Sequence, residues 1–261
     1  AFHNLGGIDR SVRVFALPAV HLQDLRVASQ LDERYQDADL TLTVGLENPG
    51  PAAANDLHIA LALMGPDGQD TVRATCQVAV EPLPAGTKTV DIFTHIDEPL
   101  KWNAEHPHLY SAVVELRQGD QLLQRVARNV GFRCLEIKDR ALLVNGVPVK
   151  LAGACHHETD PLTGRADTMR HAEEDIRLLK EANLNYVRTS HYPPTLELVE
   201  AADKYGMYLE VEAPFCWVAP QDDLLPLREV LVPTTAMVDY YHSHPSVVIW
   251  SLGNESHFNR F

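Results

Sequence analysis

The stretch His244-Pro245-Ser246-Val247-Val248-Ile249-Trp250-Ser251-Leu252-Gly253-Asn254-Glu255 decides how the rest of the chain is read. Its short apolar run of β-branched residues and Trp predicts a strand buried on both faces. Gly253 breaks the run, and the polar pair Asn254-Glu255 follows at its C-terminal end. In a parallel α/β barrel, the C-terminal strand ends carry the catalytic side chains. A carboxylate held there beside Trp250 and Asn254 is a candidate general acid/base. Six residues follow Glu255, and the expectation is a chain cut through its own active site.

Working back from that strand, strand and helix alternate at βαβ spacing as far as residue 135, which predicts a parallel sheet. Val232 to His242 is the preceding helix and Met207 to Val211 the strand before it. A helix from Thr195 to Tyr205 stops at Gly206, and Tyr186-Val187-Arg188 is strand-like. Asp167-Thr168 caps a further helix in which Met169, Ala172, Ile176 and Leu179 share one face. A strand ends near Gly153, and Asn145-Gly146 turns a small hairpin within Leu142 to Val149. About four βα units fit, whereas a complete eight-unit barrel needs about 250 residues. The alternatives are a smaller doubly wound domain and half of a barrel.

Before residue 135 the period changes to that of an all-β sandwich. Predicted strands are Leu22–Ala28, Leu40–Leu46, Leu57–Met64, Thr71–Val80, Thr87–Phe93, Leu109–Arg117 and Leu122–Val130. Asn48-Pro49-Gly50, Pro66-Asp67-Gly68, Pro84-Ala85-Gly86 and Gly119-Asp120 supply turn chemistry between them. Seven strands in this length match an immunoglobulin-like sandwich. Ala1 to Val14 precede it and read as the tail of something else.

Of the 261 residues, 45% are apolar and 22% charged, an ordinary balance for a globular chain with a sizeable core. The net charge of −14 argues against nucleic acid or an anionic membrane surface as partner. Cys76, Cys134, Cys155 and Cys216 are widely spaced and predict reduced, mostly buried thiols rather than disulfides or a zinc site. No apolar run approaches the length of a membrane span. Ala1 opens the chain, so a signal peptide would be lost with the true N-terminus, and the compartment stays open with the cytoplasm preferred.

Unusual polar residues follow each predicted strand of the second half: Cys155-His156-His157-Glu158, Arg188 to Pro193, Glu210 to Pro214, and Asn254-Glu255. A single buried His or solvated Glu is ordinarily structural. Four such clusters at C-terminal strand ends converge on one mouth. Their chemistry leaves two readings. A metal site is disfavoured, because the His and carboxylates lie on different strands with no His-Glu-x-x-His pair. Glycoside hydrolysis needs two carboxyl groups, with imidazoles and a basic side chain to hold sugar hydroxyls and orient them. Glu255, next to the Trp250 indole, would gain an acid's raised pKa through desolvation.

Asn185-Tyr186-Val187-Arg188-Thr189-Ser190-His191-Tyr192-Pro193, followed by Asp203 and Gly206-Met207-Tyr208-Leu209, resembles one signature of glycoside hydrolase family 2. That family holds β-galactosidases, β-glucuronidases and β-mannosidases. His244 to Glu255 resembles its second signature, and Gly146-x-Pro148 with Gly153-x-x-x-His157-Glu158 and Asp160-Pro161 resembles the approach to its barrel. Asn4-x-Gly6-Gly7-Ile8-x-Arg10 is similar to the closing strand of its sugar-binding domain. The resemblance implies a multidomain fold: the end of a jelly roll (1–14), an immunoglobulin-like β-sandwich (15–134), and the first half of a TIM (β/α)8 barrel (135–261).

It further implies a retaining hydrolase of terminal β-linked sugars, with Glu255 as acid/base. Asn254 would bind the sugar 2-hydroxyl, His157 and His191 would contact the sugar, and Arg188 would orient the nucleophile. Glu212 and Trp250 complete the expected substrate-binding set. An ion pair at the barrel mouth explains Arg188 and Glu212 equally well. Ser256 after Asn254-Glu255 favours a galactoside over a glucuronide. The expected partner is a small-molecule or oligosaccharide β-glycoside, and a homo-oligomer of the full-length protein is left open.

Two departures stand out. The family's nucleophile, a Glu on a later strand, has no counterpart, so the chain alone is expected to be inactive. Magnesium-dependent β-galactosidases carry Glu-x-His after their Glu-Ala pair, whereas here Cys216 and Val218 take those positions. No cofactor is therefore expected, magnesium being the one candidate and lacking its co-ligands. The rival class is a non-catalytic carbohydrate-binding or structural protein on the same sandwich and a degraded barrel.

Overall fold

Alternation dictates the first half of the chain. In β2 (Ala38–Asn48), β3 (Leu57–Met64) and β6 (Tyr110–Gln118) every second residue is buried, the signature of sheets with one face on a core. Together with β1 (His21–Leu31), β4 (Val72–Val80), β5 (Gly86–Ile96) and β7 (Gln121–Val130) they form two antiparallel sheets, ordered β1-β2-β5 and β4-β3-β6-β7. All seven predicted strands are present, three of them (β1, β2 and β5) longer by four residues and the other four within one residue at each end. The inner faces interdigitate Leu40, Leu42, Val44 and Leu46 with Ile59, Leu61, Leu63, Val114 and Leu116 in one core. Each such fully buried side chain contributes about 1.5–3 kcal/mol of transfer free energy.

The structure, a computed structural model, describes residues 8, 10–66, 71–166, 168–217 and 227–256. The predicted residues Asp67, Gly68, Asp167 and Val218, and most of the segment before Val14, lie outside them. The chain divides into two units, one of Arg13–Trp102 with His108–Val147, the other of Ala1–Val12, Asn103–Pro107 and Pro148–Phe261. By compactness the division falls after Val147, twelve residues beyond the change of period at 135. The reason is a three-stranded sheet of β8 (Leu135–Lys138), β9 (Ala141–Val144) and β10 (Val147–Pro148), which the Asn145 side chain ties back to the first unit. Its Oδ1 accepts from Cys134 N and its Nδ2 donates to Trp102 O. Asn145 and Gly146 both take positive φ, as the predicted tight turn requires.

The second unit is a four-stranded parallel sheet ordered β11-β12-β13-β14. Its strands are β11 (Gly153–His156), β12 (Tyr186–Thr189), β13 (Tyr208–Glu212) and β14 (Val247–Ser251), connected through α1 (Met169–Glu181), α2 (Leu196–Tyr205) and α3 (Leu227–Tyr241). Thr168 and Thr195 cap α1 and α2 through their side-chain oxygens. Ala172 and Ile176 of α1, Leu198, Val199 and Ala202 of α2, and Met237 of α3 share a core with Val187, Leu209, Val211 and Val247 of the sheet.

Three expectations are corrected here. β11 begins at Gly153 rather than ending there: a Cβ on Gly153 would lie 1.8 Å from Tyr186 O, so only glycine lets the strand approach β12 this closely. α3 starts at Leu227 rather than Val232, so Pro233 lies inside the helix. The hydroxyls of Thr234 and Thr235 donate to Val230 O and Leu231 O beside that proline. β14 is buried only in part, with Trp250 37% exposed, since it lies at an edge of the described sheet. Among the described residues, no helix is long and apolar enough to cross a membrane.

Candidate active site

Strand alternation sorts the side chains of the parallel sheet between its two faces. Register pairs Cys155 with Arg188, Arg188 with Glu210, and Glu212 with Ser251, which places these residues on one face. Val187, Leu209 and Val211 turn to the other face and into the helix-side core. Trp250 pairs with Val211 and shares that second face. The sheet therefore carries Trp250 away from the polar cluster, which corrects its expected place beside Glu255. Ser251, one residue later, takes the inward position, and its hydroxyl donates to Glu212 Oε2 at 2.8 Å.

Glu212, the last residue of β13, is fully buried. An uncompensated carboxylate there would cost on the order of several kcal/mol, and four donors offset that penalty. Arg188 grips Oε2 through Nε at 2.7 Å and again through its terminal nitrogen. Ser251 adds the third bond, and His191 Nδ1 lies 2.7 Å from Oε1. Because a carboxylate only accepts, His191 carries its proton on Nδ1. Burial alone would depress the Arg188 guanidinium, but the hydrogen bond and charge of Glu212 outweigh it and hold the group above its ordinary value. Arg188 also donates to Asn254 Oδ1 at 3.1 Å, so the pair reaches across to the segment after β14.

Beside this network, the His157 ring meets His191 edge-on at 5.5 Å and lies 6.0 Å from the Tyr192 ring. Arg165 stacks over Tyr192 at 4.2 Å. Desolvation by these neighbours pushes His157 below the ordinary histidine value, with the charges of His191, His156 and Arg165 adding to it. Next in the chain, Glu158 is buried and accepts from Thr195 N at 2.5 Å, Thr195 Oγ1 at 2.7 Å and Arg10 at 2.9 Å. It locks the segment after β11 onto the N-terminus of α2.

The segment after β14 is stitched to the segment after β13. Asn254 N donates to Phe215 O at 2.8 Å, Trp217 N donates to Asn254 O at 3.0 Å, and Cys216 and Asn254 form a parallel bridge. Gly253, at φ +156°, permits the approach, since a Cβ there would lie 2.6 Å from Phe215 O. The Asn254 amide donates to Cys216 Sγ at 3.5 Å, and the Trp217 indole N–H donates to Glu255 Oε2 at 2.7 Å. Trp217 at φ 57° and Glu255 at φ 46° both occupy the left-handed region. Such conformations cost about 1–3 kcal/mol each and persist only where the surroundings over-determine them.

Of the residues singled out from sequence, Arg188, His191, Glu212 and Asn254 form one hydrogen-bonded network, with His157 against it and Glu255 next in the chain to Asn254. Trp250 is not brought to it. Sequence reasoning missed Ser251, Cys216 and Trp217 as members of the cluster, and the anchoring role of Glu158. Alternation from Val247 would turn Ser251 to the helix side, and a register shift between β13 and β14 brings it to Glu212 instead, whereas Trp217 lies in a loop with no local pattern.

Residues 135–260 match the family described as glycosyl hydrolases family 2, TIM barrel domain, and residues 20–133 match glycosyl hydrolases family 2. The chain belongs to glycosyl hydrolases family 2. A β-galactosidase of Priestia megaterium is 34% identical over 270 aligned residues, covering 98% of this chain and 26% of that protein. A crystal structure of a family 2 member from Bacteroides cellulosilyticus aligns with TM-score 0.82 and 26% identity, over 93% of this chain and 33% of that one. A Bacteroides uniformis β-glucuronidase aligns with TM-score 0.81 and 27% identity, over 90% of this chain and 29% of that one. The chain thus spans about a quarter of the length of the curated relatives it matches. It comprises the family 2 β-sandwich domain followed by part of the TIM barrel domain.

The family 2 chain's own residues do not fit magnesium at this mouth. The position after Phe215 carries the soft thiol of Cys216, already engaged by the Asn254 amide, whereas magnesium demands hard oxygen ligands in near-octahedral geometry. Glu255 Oε2 is held by an indole N–H, a donor that cannot ligate a cation.

Proposed function

We propose that the protein carrying this chain hydrolyses terminal β-linked sugars with retention, β-galactosides foremost, using Glu255 as acid/base. The observation that carries this is the convergence of Arg188, His191, Glu212 and Asn254 at the C-terminal ends of β12 to β14, with Glu255 alongside. In the first step Glu255 gives its proton to the glycosidic oxygen while a second carboxylate attacks the anomeric carbon. In the second step Glu255 takes a proton from the water that releases the sugar. Asn254, oriented by Arg188, addresses the 2-hydroxyl, and His157 and His191 address other hydroxyls of the same sugar. Arg188 and Glu212 are the frame that fixes these groups.

Glu212 is not the second carboxylate. Both its oxygens are occupied by Arg188, Ser251 and His191, and a nucleophile needs an unencumbered oxygen facing the anomeric carbon. On this reading the nucleophile is a carboxylate supplied from outside this chain, as the family resemblance implies, and the chain alone would not turn over. Support for a galactoside comes from relatives at 33–35% identity, each called a β-galactosidase. Some solved neighbours are β-glucuronidases, which makes an aryl β-glucuronide the control substrate.

The test is Glu255→Gln in the full-length protein. The expected result is a loss of roughly 10²–10⁴-fold on an aryl β-galactoside with a poor leaving group. Wild-type-like turnover of that substrate would overturn the assignment.

A further inference from the structure

We propose that Trp217 is a positioning residue for Glu255, and that its indole N–H determines which oxygen of that carboxyl group carries the proton. The inference rests on the reading of Glu255 as acid/base. Trp217 Nε1 donates to Glu255 Oε2 at 2.7 Å. An indole nitrogen donates and never accepts, so Oε2 must remain an acceptor in both protonation states of Glu255. A carbonyl oxygen accepts more strongly than the hydroxyl oxygen of the same carboxyl group, so the indole bond favours the acidic hydrogen on Oε1. One fixed donor turns a symmetric carboxyl group into one with an assigned proton-bearing oxygen, as transfer to a glycosidic oxygen requires.

The backbone supports a built arrangement over a surface accident. Residues 216 and 217 address residues 254 and 255 pairwise: Cys216 bridges Asn254 through main chain and sulfur, and Trp217 meets Glu255 through its indole. Both members of the second pair hold positive φ, which bulky residues rarely adopt. Core packing does not impose this, since Trp217 is 52% exposed and Glu255 is also exposed. The main-chain bridge and the indole bond are what the strained conformations secure.

The test uses full-length protein and two aryl β-glycosides, one with a poor leaving group and one, a dinitrophenyl glycoside, that departs without a proton. For Trp217→Phe, kcat/KM on the poor leaving group is expected to fall about ten- to hundredfold, while kcat/KM on the dinitrophenyl glycoside, which reports only the first step, stays at the wild-type value. The ratio of the two substrates on one preparation is independent of how much protein is folded. In the Glu255→Gln background, Trp217→Phe is expected to cost nothing further on the poor leaving group, because its effect passes through Glu255. An equal loss on both substrates, or an undiminished loss in that background, would overturn the proposal. If Glu255→Gln itself leaves turnover intact, the acid/base reading fails; if only Trp217→Phe is silent, this inference fails alone.

Discussion

Arg188 clasps Glu212 with two guanidinium nitrogens, and the carboxylate it holds is fully buried while the arginine side chain keeps 24% of its surface. The pair links β12 to β13, and Arg188 extends it to Asn254 after β14. Three strand ends are thereby fixed by one fork whose planar geometry a lysine cannot copy.

Replacing Arg188 by Met leaves a buried carboxylate with only its hydroxyl and imidazole partners. Breaking a buried pair costs about 3–5 kcal/mol, and the partial exposure of Arg188 reduces this to about 2–4 kcal/mol. Arg188→Lys keeps the charge but not the fork, and the expected loss is about 1–2 kcal/mol. Urea unfolding of the chain measures both. A lysine variant as stable as wild type would mean that charge alone, without the two guanidinium bonds to Oε2, holds Glu212.

His157 offers a pH readout. Its folded value lies below the ordinary value of about 6.5 because neighbouring rings desolvate it and His191, His156 and Arg165 oppose its charge. Between that lower folded value and about 6.5, the unfolded chain binds the extra proton and the folded chain does not. Stability from this group is therefore complete above about 6.5 and declines as pH falls towards the folded value. Titration of the His157 ring by NMR should give a midpoint below that of an exposed histidine. Substituting His191 by Asn should move it upward, and an unchanged midpoint would remove His191 as a cause.

Much of this architecture was legible because local chemistry and tertiary need agree. Alternation along Ala38–Asn48 or Leu57–Met64, bounded by turn residues, leaves little choice but a one-sided strand. The polar ends of β12 and β13 advertised Arg188 and Glu212 for the same reason. Misreadings arose where a local signal had two meanings. The helix expected from Val232 begins at Leu227 and carries Pro233 within it. The apolar run Val247 to Trp250 suggests burial on both faces, but pairing with β13 turns Trp250 from the site and Ser251 towards it. The hairpin turn at Asp139-Arg140 has positive φ at both residues and no glycine to announce it. Nor could sequence spacing reveal the Trp217–Glu255 bond, since a main-chain bridge between two segments creates it.

Asp203 shows how stability and the site are coupled. It is a buried residue of α2, yet its Oδ2 lies 2.6 Å from His244 Nδ1 and its Oδ1 accepts from Ser246 N at 2.9 Å. Ser246 O in turn accepts from Leu209 N at 2.8 Å, so the helix fastens the start of β14 to β13. Asp203→Asn retains one accepting oxygen and sets an amide NH2 against a donor. Leaving that donor unsatisfied should cost about 1–3 kcal/mol, and Asp203→Ala, which strands both donors, about 2–5 kcal/mol. The effect should be local before it is global. Amide hydrogen exchange across Val247–Ser251 is expected to quicken in Asp203→Asn more than exchange in β12, because β14 loses its N-terminal fastening while Arg188 and Glu212 keep theirs. Uniform acceleration over all four strands would instead make Asp203 a support of α2, with no particular hold on the strand that leads to Asn254 and Glu255.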